Sequence, residues 1–272
     1  MTSTFERLSV TVATIRDAEG VVALLSNKGK SRYWKDREQW FRFYQAYPEG
    51  NPVSLIVKDE GEIVGHYGLF PVQIGRWAAL LGMHAYVSEE YRGLTVISML
   101  MQEADRYAEQ IGAACICGFA NPQFSLVKKT FFNWKIPFWL GFTSPVQSSD
   151  LSAGNTPFYF SYSEQWYTWR FGSVRSAYFS RYEAADGSVN KQLLKILPGS
   201  ELPVDNALCG CESWTTRGHF SRKPEGIVSQ PFSLKLYDQS LAQAGIYDPE
   251  SWFIEMGDSD TFQYREWSDV LA

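Results

Sequence analysis

Between Leu80 and Phe119 the sequence reads as a strand, a short turn, a long helix and a second strand. The helix is predicted from Leu94 to Gly112, and Gly112 suits the left-handed residue that ends many helices. Apolar residues recur there at the spacing of one helix face: Ile97, Leu100, Met101, Ala104, Ala108 and Ile111. Ala113 to Phe119 is then a run of small and apolar residues. This order predicts a βαβ unit.

The turn between the first strand and the helix is a candidate binding site. It contains Arg92 and Gly93 immediately before the predicted first helical residue. The first N–H groups of a helix have no partner within the helix, and they lie at the positive end of its dipole. Such a turn suits a pyrophosphate, and the Arg92 guanidinium can add a charge-assisted hydrogen bond.

The residues before this unit predict a helix and an antiparallel meander. Ser31 to Tyr47 carries aromatic residues at helix-like spacing. Val53 to Lys58, Ile63 to Ile74 and Trp77 to Val87 read as strands. Asp59-Glu60-Gly61-Glu62, between the first two of them, is a hairpin turn signal. The first half therefore predicts a mixed α/β domain.

The composition indicates which classes of partner and which cellular location to expect. The 272 residues carry a net charge of -5, so they offer no basic footprint, and we expect no nucleic-acid partner. No segment approaches the roughly 20 apolar residues that span a bilayer. Met1 to Val10 lacks the apolar run of a secretory signal. We therefore expect a cytoplasmic protein without membrane insertion.

The four cysteines fall in two pairs, Cys115 with Cys117 and Cys209 with Cys211, each with one intervening residue. Zinc knuckles usually place two residues between such ligands, and no histidine is close in sequence to either pair. We expect no metal site. Cys115 and Cys117 are interpreted as buried strand residues with reduced thiols.

The second half of the chain echoes the first. Thr143 to Thr156 is rich in Ser, Gly, Asn and Pro and is interpreted as a linker. After it, Glu164-Gln165-Trp166-Tyr167 repeats Glu38-Gln39-Trp40-Phe41, and a glycine turn follows each segment at the same interval, at Gly187 and at Gly61. An internal duplication accounts for this echo. Chance recurrence of the abundant Trp is the alternative.

The segment Tyr91-Arg92-Gly93, placed between a strand and an amphipathic helix, resembles the pyrophosphate-binding turn of the GNAT (GCN5-related) N-acyltransferase superfamily. Arg92 and Gly93 match the Arg and the Gly that open that turn. Thr95 and Ile97 stand where two later glycines usually are. The resemblance covers roughly residues 5 to 140.

This resemblance implies a fold and a co-substrate. The implied fold is α/β: a mixed, largely antiparallel sheet flanked by helices in residues 1–145, and a second, degenerate GNAT-like half without a phosphate-binding turn in residues 155–272. The implied co-substrate is acyl-CoA, either acetyl-CoA or a longer acyl-CoA, with no metal. The implied cofactor-binding residues, on the turn and on the strand before it, are Ala85, Tyr86, Val87, Arg92, Gly93, Leu94, Thr95, Val96 and Ile97.

The segment Phe119-Ala120-Asn121-Pro122 has two interpretations. Asn-Pro at a strand end is first a turn signal. In the resembling family an Asn near this position often contacts the pantetheine arm, so Asn121 is also a candidate cofactor-binding residue. The family's Tyr that often protonates the departing thiolate has no clear match, because Val127, Lys128 and Lys129 occupy that region.

Two histidines are candidate catalytic residues. The acyl transfer that the resemblance implies needs a neutral amine, and a general base with a pKa near the working pH can provide it. His84 lies on the strand that leads to the turn, and His66 lies on the neighbouring strand. Imidazole suits this task. The alternative for each is a histidine that is only hydrogen-bonded within a half-buried strand, and an acceptor of low pKa needs no protein base.

The aromatic segment around Trp34 has two interpretations as well. As core, its rings pack the first helix on the sheet; as a site, a ring stacks on a sugar or nucleobase of the acceptor. Arg32 and Lys35 flank Trp34 and can neutralise phosphates of an acceptor. Arg32, Trp34 and Lys35 are therefore the candidate substrate residues.

The resemblance implies an acyl-CoA-dependent N-acyltransferase that acts on a small-molecule amine. Two-part bacterial members of the resembling family frequently acylate a nucleotide-linked amino sugar for surface polysaccharide, which gives the expected acceptor. Another small amine is the alternative acceptor, and a non-catalytic acyl-CoA-binding module is the alternative class. A homodimer is left open.

Overall fold

The fold is described from a computed structural model of the chain, for residues 7–27, 34–141, 156–183, 189–200, 211–213, 219–220 and 229–259. Arg32 and all of the expected linker except Thr156 lie outside these residues. In the part of the chain that is described, no helix combines the length and the apolar character needed to cross a membrane.

The first part of the chain combines a strand meander with helices. Its strands are β1 (Leu8–Val12), β2 (Val53–Asp59), β3 (Glu62–Ile74), β4 (Trp77–Val87), β5 (Cys115–Gly118) and β6 (Lys135–Gly141). Its helices are α1 (Ala18–Ser26), α2 (Arg37–Tyr44), α3 (Leu94–Ile111) and α4 (Pro122–Phe131). Because β4 and β5 are parallel neighbours joined by α3, the predicted βαβ unit is confirmed.

The strands and helices of the second part are generally shorter. They are β7 (Phe158–Ser161), α5 (Glu164–Phe171), β8 (Ala177–Glu183), β9 (Val189–Ile196), β10 (Cys211–Glu212), β11 (His219–Phe220), β12 (Ser229–Leu236), α6 (Ser240–Gln243) and β13 (Trp252–Phe253). The two echoed segments form α2 and α5, each of 8 residues. An antiparallel strand pair follows each, β2 with β3 and β8 with β9. The duplication itself stays a prediction.

One sheet runs through both parts. Within the described residues it has ten strands, in the order β1-β2-β3-β4-β5-β12-β6-β11, with β7 pairing both β3 and β13. Most neighbouring strands are antiparallel, as the predicted α/β fold requires. Strand β12 belongs to the second part and yet lies between β5 and β6. The predicted division into residues 1–145 and 155–272 therefore runs through a continuous sheet.

Apolar layers cover both faces of this sheet. Successive residues of a strand point to opposite faces, and Leu55 and Ile56 of β2 accordingly belong to different core clusters. On the face of Leu55, α3 packs through Leu100 and Ala104, each at most 1% exposed. On the face of Ile56, the core is largely aromatic and includes Trp40.

Two local predictions from the sequence are confirmed. Glu60 and Gly61 have φ of 48° and 97°, the pair of positive angles that a two-residue type I′ hairpin needs. Gly112 has φ of 68° and ends α3, and its N–H bonds to Ala108 and Glu109 carbonyls. The apolar helix face is buried from Ile97 to Ala108, whereas Ile111 is 48% exposed.

Candidate active site

A cleft opens where β4 and β5 separate. The two strands pair only at Leu80–Ile116 and Leu81–Cys117, and then β5 ends at Gly118 while β4 continues to Val87. The cavity between them has a volume of about 750 Å³. Its walls are β4 from Gly82 onward, the Arg92–Gly93 turn, the start of α3 and the start of α4.

The inner end of the cleft depends on a glycine. A Cβ atom built on Gly82 would lie 1.9 Å from Oη of Tyr67, so only glycine leaves room for the Tyr67 hydroxyl there. Tyr67 lines the cleft, and its hydroxyl is buried without a hydrogen-bond partner among the described residues. Burial raises the pKa of Tyr67 strongly, so this hydroxyl stays protonated and can donate a hydrogen bond.

A β-bulge lies in the middle of the cleft wall. His66 pairs with Tyr86 and Gly68 pairs with Met83, so an extra residue stands in β4 between these pairs. His84, within the bulge, has φ of 56°, a conformation that His adopts more readily than most residues. Bulges bend the strand that carries them, which helps β4 diverge from β5.

The outer end of the cleft has the properties of an anion site. Gly93 has φ of 155° with nothing within 4 Å of an ideal Cβ, so the backbone conformation, and not the available space, favours glycine. Helix α3 begins directly after it, and no described side chain caps its first N–H groups. Arg92 is 58% exposed and forms an ion pair of 2.9 Å with Glu89.

Seven of the predicted cofactor-binding residues line this cleft, and three do not. Leu94 is 47% exposed, Thr95 is exposed, and Val96 is buried beneath Gly65 in the core; their backbones still form the first turn of α3. Asn121 precedes α4 and caps it, because its Oδ1 accepts from the Phe124 N–H at 2.8 Å. Its contact with pantetheine stays a prediction. The lining set is Ala85, Tyr86, Val87, Arg92, Gly93, Ile97 and Asn121.

The two candidate histidines occupy different places. His84 lines the cleft, although it is only 2% exposed. His66 is fully buried beside it, and its Nδ1 donates to the His84 carbonyl at 2.8 Å. The Tyr44 hydroxyl lies 3.2 Å from His66 Nε2 and 3.4 Å from His84 Nδ1. A hydrogen-bonded chain therefore joins the rings, and only His84 reaches the cleft.

The candidate substrate residues do not converge on an open surface. Trp34 is 2% exposed, and its ring packs edge-on against His84 with the ring centres 5.0 Å apart. Phe43 packs on the same ring of Trp34 at 5.5 Å. Lys35 is exposed, and Arg32 lies outside the described residues. In this structure Trp34 contributes to the aromatic core around His84.

Sequence reasoning missed Lys128 as a site residue. It lies on α4, is 1% exposed and lines the cleft. In sequence it stands beside Lys129, which is exposed, and a pair of lysines near a helix end is typical of a solvated face. In the structure Lys128 lies on the inner face of α4 together with Ser125, one turn earlier, which is also buried.

The two cysteines of β5 are structural. Cys115 and Cys117 are at most 1% exposed, which confirms that they are buried strand residues. Burial raises the pKa of the Cys115 thiol to about 12, so it stays protonated. Among the residues that the structure describes, no group of three or more His, Cys, Asp or Glu side chains is arranged to hold a metal ion.

Comparison with known proteins gives the cleft a family context. Residues 22–123 match the family model described as the acetyltransferase (GNAT) family. The match covers fewer than half of the 272 residues. It contains β4, the Arg92–Gly93 turn, α3 and Asn121, so the GNAT match includes most of the cleft wall. The match ends before Lys128.

Solved structures extend the likeness over most of the chain. A probable N-acyltransferase from Enterococcus faecalis V583 superposes with a TM-score of 0.57 at 10% identity, over 86% of this chain and 74% of that one. A GCN5-related N-acetyltransferase from Kribbella flavida gives 0.55 at 12% identity, over 87% and 72%. At such identities the likeness establishes the fold, and the predicted α/β GNAT fold is confirmed. Among curated proteins, none matches the chain.

Proposed function

We propose that this protein transfers an acyl group from acyl-CoA to the amine of a small acceptor. The cleft between the diverging strands β4 and β5 carries the proposal, because it ends at the Arg92–Gly93 turn and the uncapped start of α3. That turn offers backbone N–H groups and a guanidinium to a pyrophosphate. The GNAT match over residues 22–123 supports the same co-substrate.

The walls of the cleft suit the remainder of acyl-CoA. The β4 residues from Gly82 to Val87 face a cavity from which β5 has already diverged, so their backbone groups on that side are available to an extended pantetheine arm. The strand rises about 3.3 Å per residue. An arm with its pyrophosphate at Arg92 therefore extends along β4, and its thioester end lies toward Gly82.

For the general base we propose His84 in preference to His66, because only His84 lines the cleft. The test is His84→Asn, since Asn also tolerates a positive φ but accepts no proton near neutral pH. We expect kcat to fall about 10²–10⁴-fold while the Kd for CoA stays unchanged. A kcat within a few-fold of the parent protein would contradict the assignment and leave His84 as a buried structural residue.

For the acceptor we propose a nucleotide-linked amino sugar used in surface polysaccharide. The support is the likeness of the sequence to two-part bacterial N-acyltransferases, together with the aromatic surroundings of His84. Another small amine is the alternative. A panel containing both classes, assayed by the release of free CoA thiol from acetyl-CoA, distinguishes them by the ratio of their kcat/KM values.

The first test of the function is binding of CoA. Thermal unfolding with CoA at 100 times its Kd should show about 2.7 kcal/mol of stabilisation. Arg92→Ala should weaken this binding roughly tenfold in Kd, because an exposed charge-assisted hydrogen bond contributes about 1.5 kcal/mol. The measurement for the variants is calorimetric titration with CoA.

A matched control is Arg106→Ala. Arg106 lies on α3, is 62% exposed and pairs with a glutamate three residues earlier, as Arg92 does, but it does not line the cleft. Its substitution should leave the Kd for CoA unchanged. A folded protein without any CoA-dependent stabilisation would refute the proposed co-substrate. Binding without thiol release, across the whole panel, would favour the non-catalytic module.

A further inference from the structure

We propose that the ammonium group of Lys128 lies beside the sulfur of bound acyl-CoA and gives its proton to the thiolate when the acyl group leaves. The inference rests on the proposed acyl-CoA-dependent function and adds to it a catalytic residue outside the matched family segment.

Three aromatic rings surround the ammonium group. The Lys128 nitrogen Nζ lies 3.9 Å from the ring centre of Trp134, 4.9 Å from that of Phe124 and 5.5 Å from that of Tyr67. It makes no hydrogen bond and no ion pair with any residue that the structure describes. Ring faces attract a cation, but they accept none of its three N–H donors in the way an anion does.

Lys128 lies at the inner end of the cleft. Its Nζ is 3.7 Å from the position that a Cβ on Gly118 would take, and Gly118 is the last residue of β5 before the strands part. The Arg92–Gly93 turn follows the opposite end of the exposed stretch of β4. The strand from Gly82 to Val87 spans about 17 Å, so Lys128 and the proposed pyrophosphate site stand at the two ends of the cleft.

The surroundings of Lys128 favour an incoming anion. Desolvation lowers the pKa of Lys128 from 10.5 to about 7, since a buried ammonium loses its hydration. The titratable groups near it are Tyr67 of β3, whose ring faces the ammonium group, and the Cys117 thiol of β5. Burial raises the pKa of both, so neither carries a compensating charge. An anion at the inner end would compensate the Lys128 charge directly.

The reaction produces one anion at that place. Attack of the neutral amine on the thioester carbon forms a C–N bond, and collapse of the adduct breaks the C–S bond and leaves the thiolate. Lys128 then donates one proton to sulfur and becomes a neutral amine. The nitrogen of the acceptor loses one proton as the amide forms, and Lys128 regains one through solvent. A group with a pKa near the working pH can both donate a proton to the thiolate and regain one from solvent.

The position of Lys128 can be tested without knowing the acceptor. Bromoacetyl-CoA places an electrophilic carbon beside the thioester sulfur, and a neutral amine there forms an N–C bond as bromide leaves and the nitrogen loses a proton. We expect peptide mapping to find the label on Lys128 and not on Lys129, with protection by CoA. The labelling rate should rise with pH around the Lys128 pKa. A label on any other residue, or none on Lys128 in a protein that binds CoA, would overturn the inference.

The role of Lys128 is tested with Lys128→Met, which keeps the length and apolar stem of the side chain, against Lys129→Met as the exposed control. We expect kcat with acetyl-CoA and the best amine of the panel to fall about 10²-fold in Lys128→Met only. In the parent protein kcat should decrease at alkaline pH as Lys128 loses its proton, and this decrease should be absent in Lys128→Met. An unchanged kcat and pH profile would sink the inference. If the parent protein does not bind CoA, the proposed function itself is refuted. The experiment therefore distinguishes failure of the proposed function from failure of the role proposed for Lys128.

Discussion

A single buried lysine gives the protein a predictable dependence of stability on pH. Lys128 has an ordinary pKa of 10.5 when unfolded and about 7 when folded. Below pH 7 both states carry the charge, and the folded state bears the whole desolvation penalty. Between about pH 7 and 10.5 the unfolded chain binds the additional proton, so the free energy of unfolding should rise with pH.

Lys128→Met should remove this contribution. The difference in unfolding free energy between the parent protein and the variant should therefore change by on the order of 1 kcal/mol per pH unit across that window. Denaturant unfolding at several pH values measures it, with Lys129→Met as the exposed control. Parallel curves for the parent protein and Lys128→Met would show that the lysine stays solvated in solution.

The same residue shows where prediction from sequence ends. His84 could be found because its strand leads directly to a recognisable turn. Lys128 could not, because its burial depends on the contact of α4 with Tyr67 and Trp134, which are distant from one another in sequence. Charged residues are rarely buried without a charged partner, so a sequence argument assigns such a lysine to solvent. Trp34 illustrates the converse, since only the fold shows that its ring packs on His84.

Individual elements of the fold followed from local rules. The β2–β3 hairpin needs two residues of positive φ, and Glu60-Gly61 provides them. Helix α3 was recognisable from its apolar face and its glycine cap. The bulge at His84 was not recognisable, because it is a property of the pairing of β3 with β4, and neither was the close approach of the Tyr67 hydroxyl to Gly82. Neither contact can be predicted from local sequence propensity, although both shape the cleft.

The architecture of the whole molecule depends on one strand whose neighbours in the sheet cannot be predicted from local sequence patterns. Strand β12 fills the position between β5 and β6, and Phe232 and Leu234 are fully buried. Its far end is also tied to α3, because Lys235 and the Tyr237 hydroxyl both contact the Asp105 carboxylate at 2.6 Å. The composition near residue 150 suggested two parts. Strand β12 of the second part, however, pairs with β5 and β6 of the first part, so the sheet of the first part is not complete without it.

We therefore expect a chain that ends after residue 145 to lack a cooperative unfolding transition. Without β12, the facing edges of β5 and β6 lose their backbone partners, and the core loses the buried Phe232 and Leu234 side chains. Mixing residues 1–145 with a second fragment, residues 146–272, should restore a transition and CoA binding, because β12 can pair in trans. Circular dichroism and calorimetric titration measure the two properties. Cooperative unfolding and CoA binding by residues 1–145 alone would show instead that the first part is an independent domain and that β12 only extends its sheet.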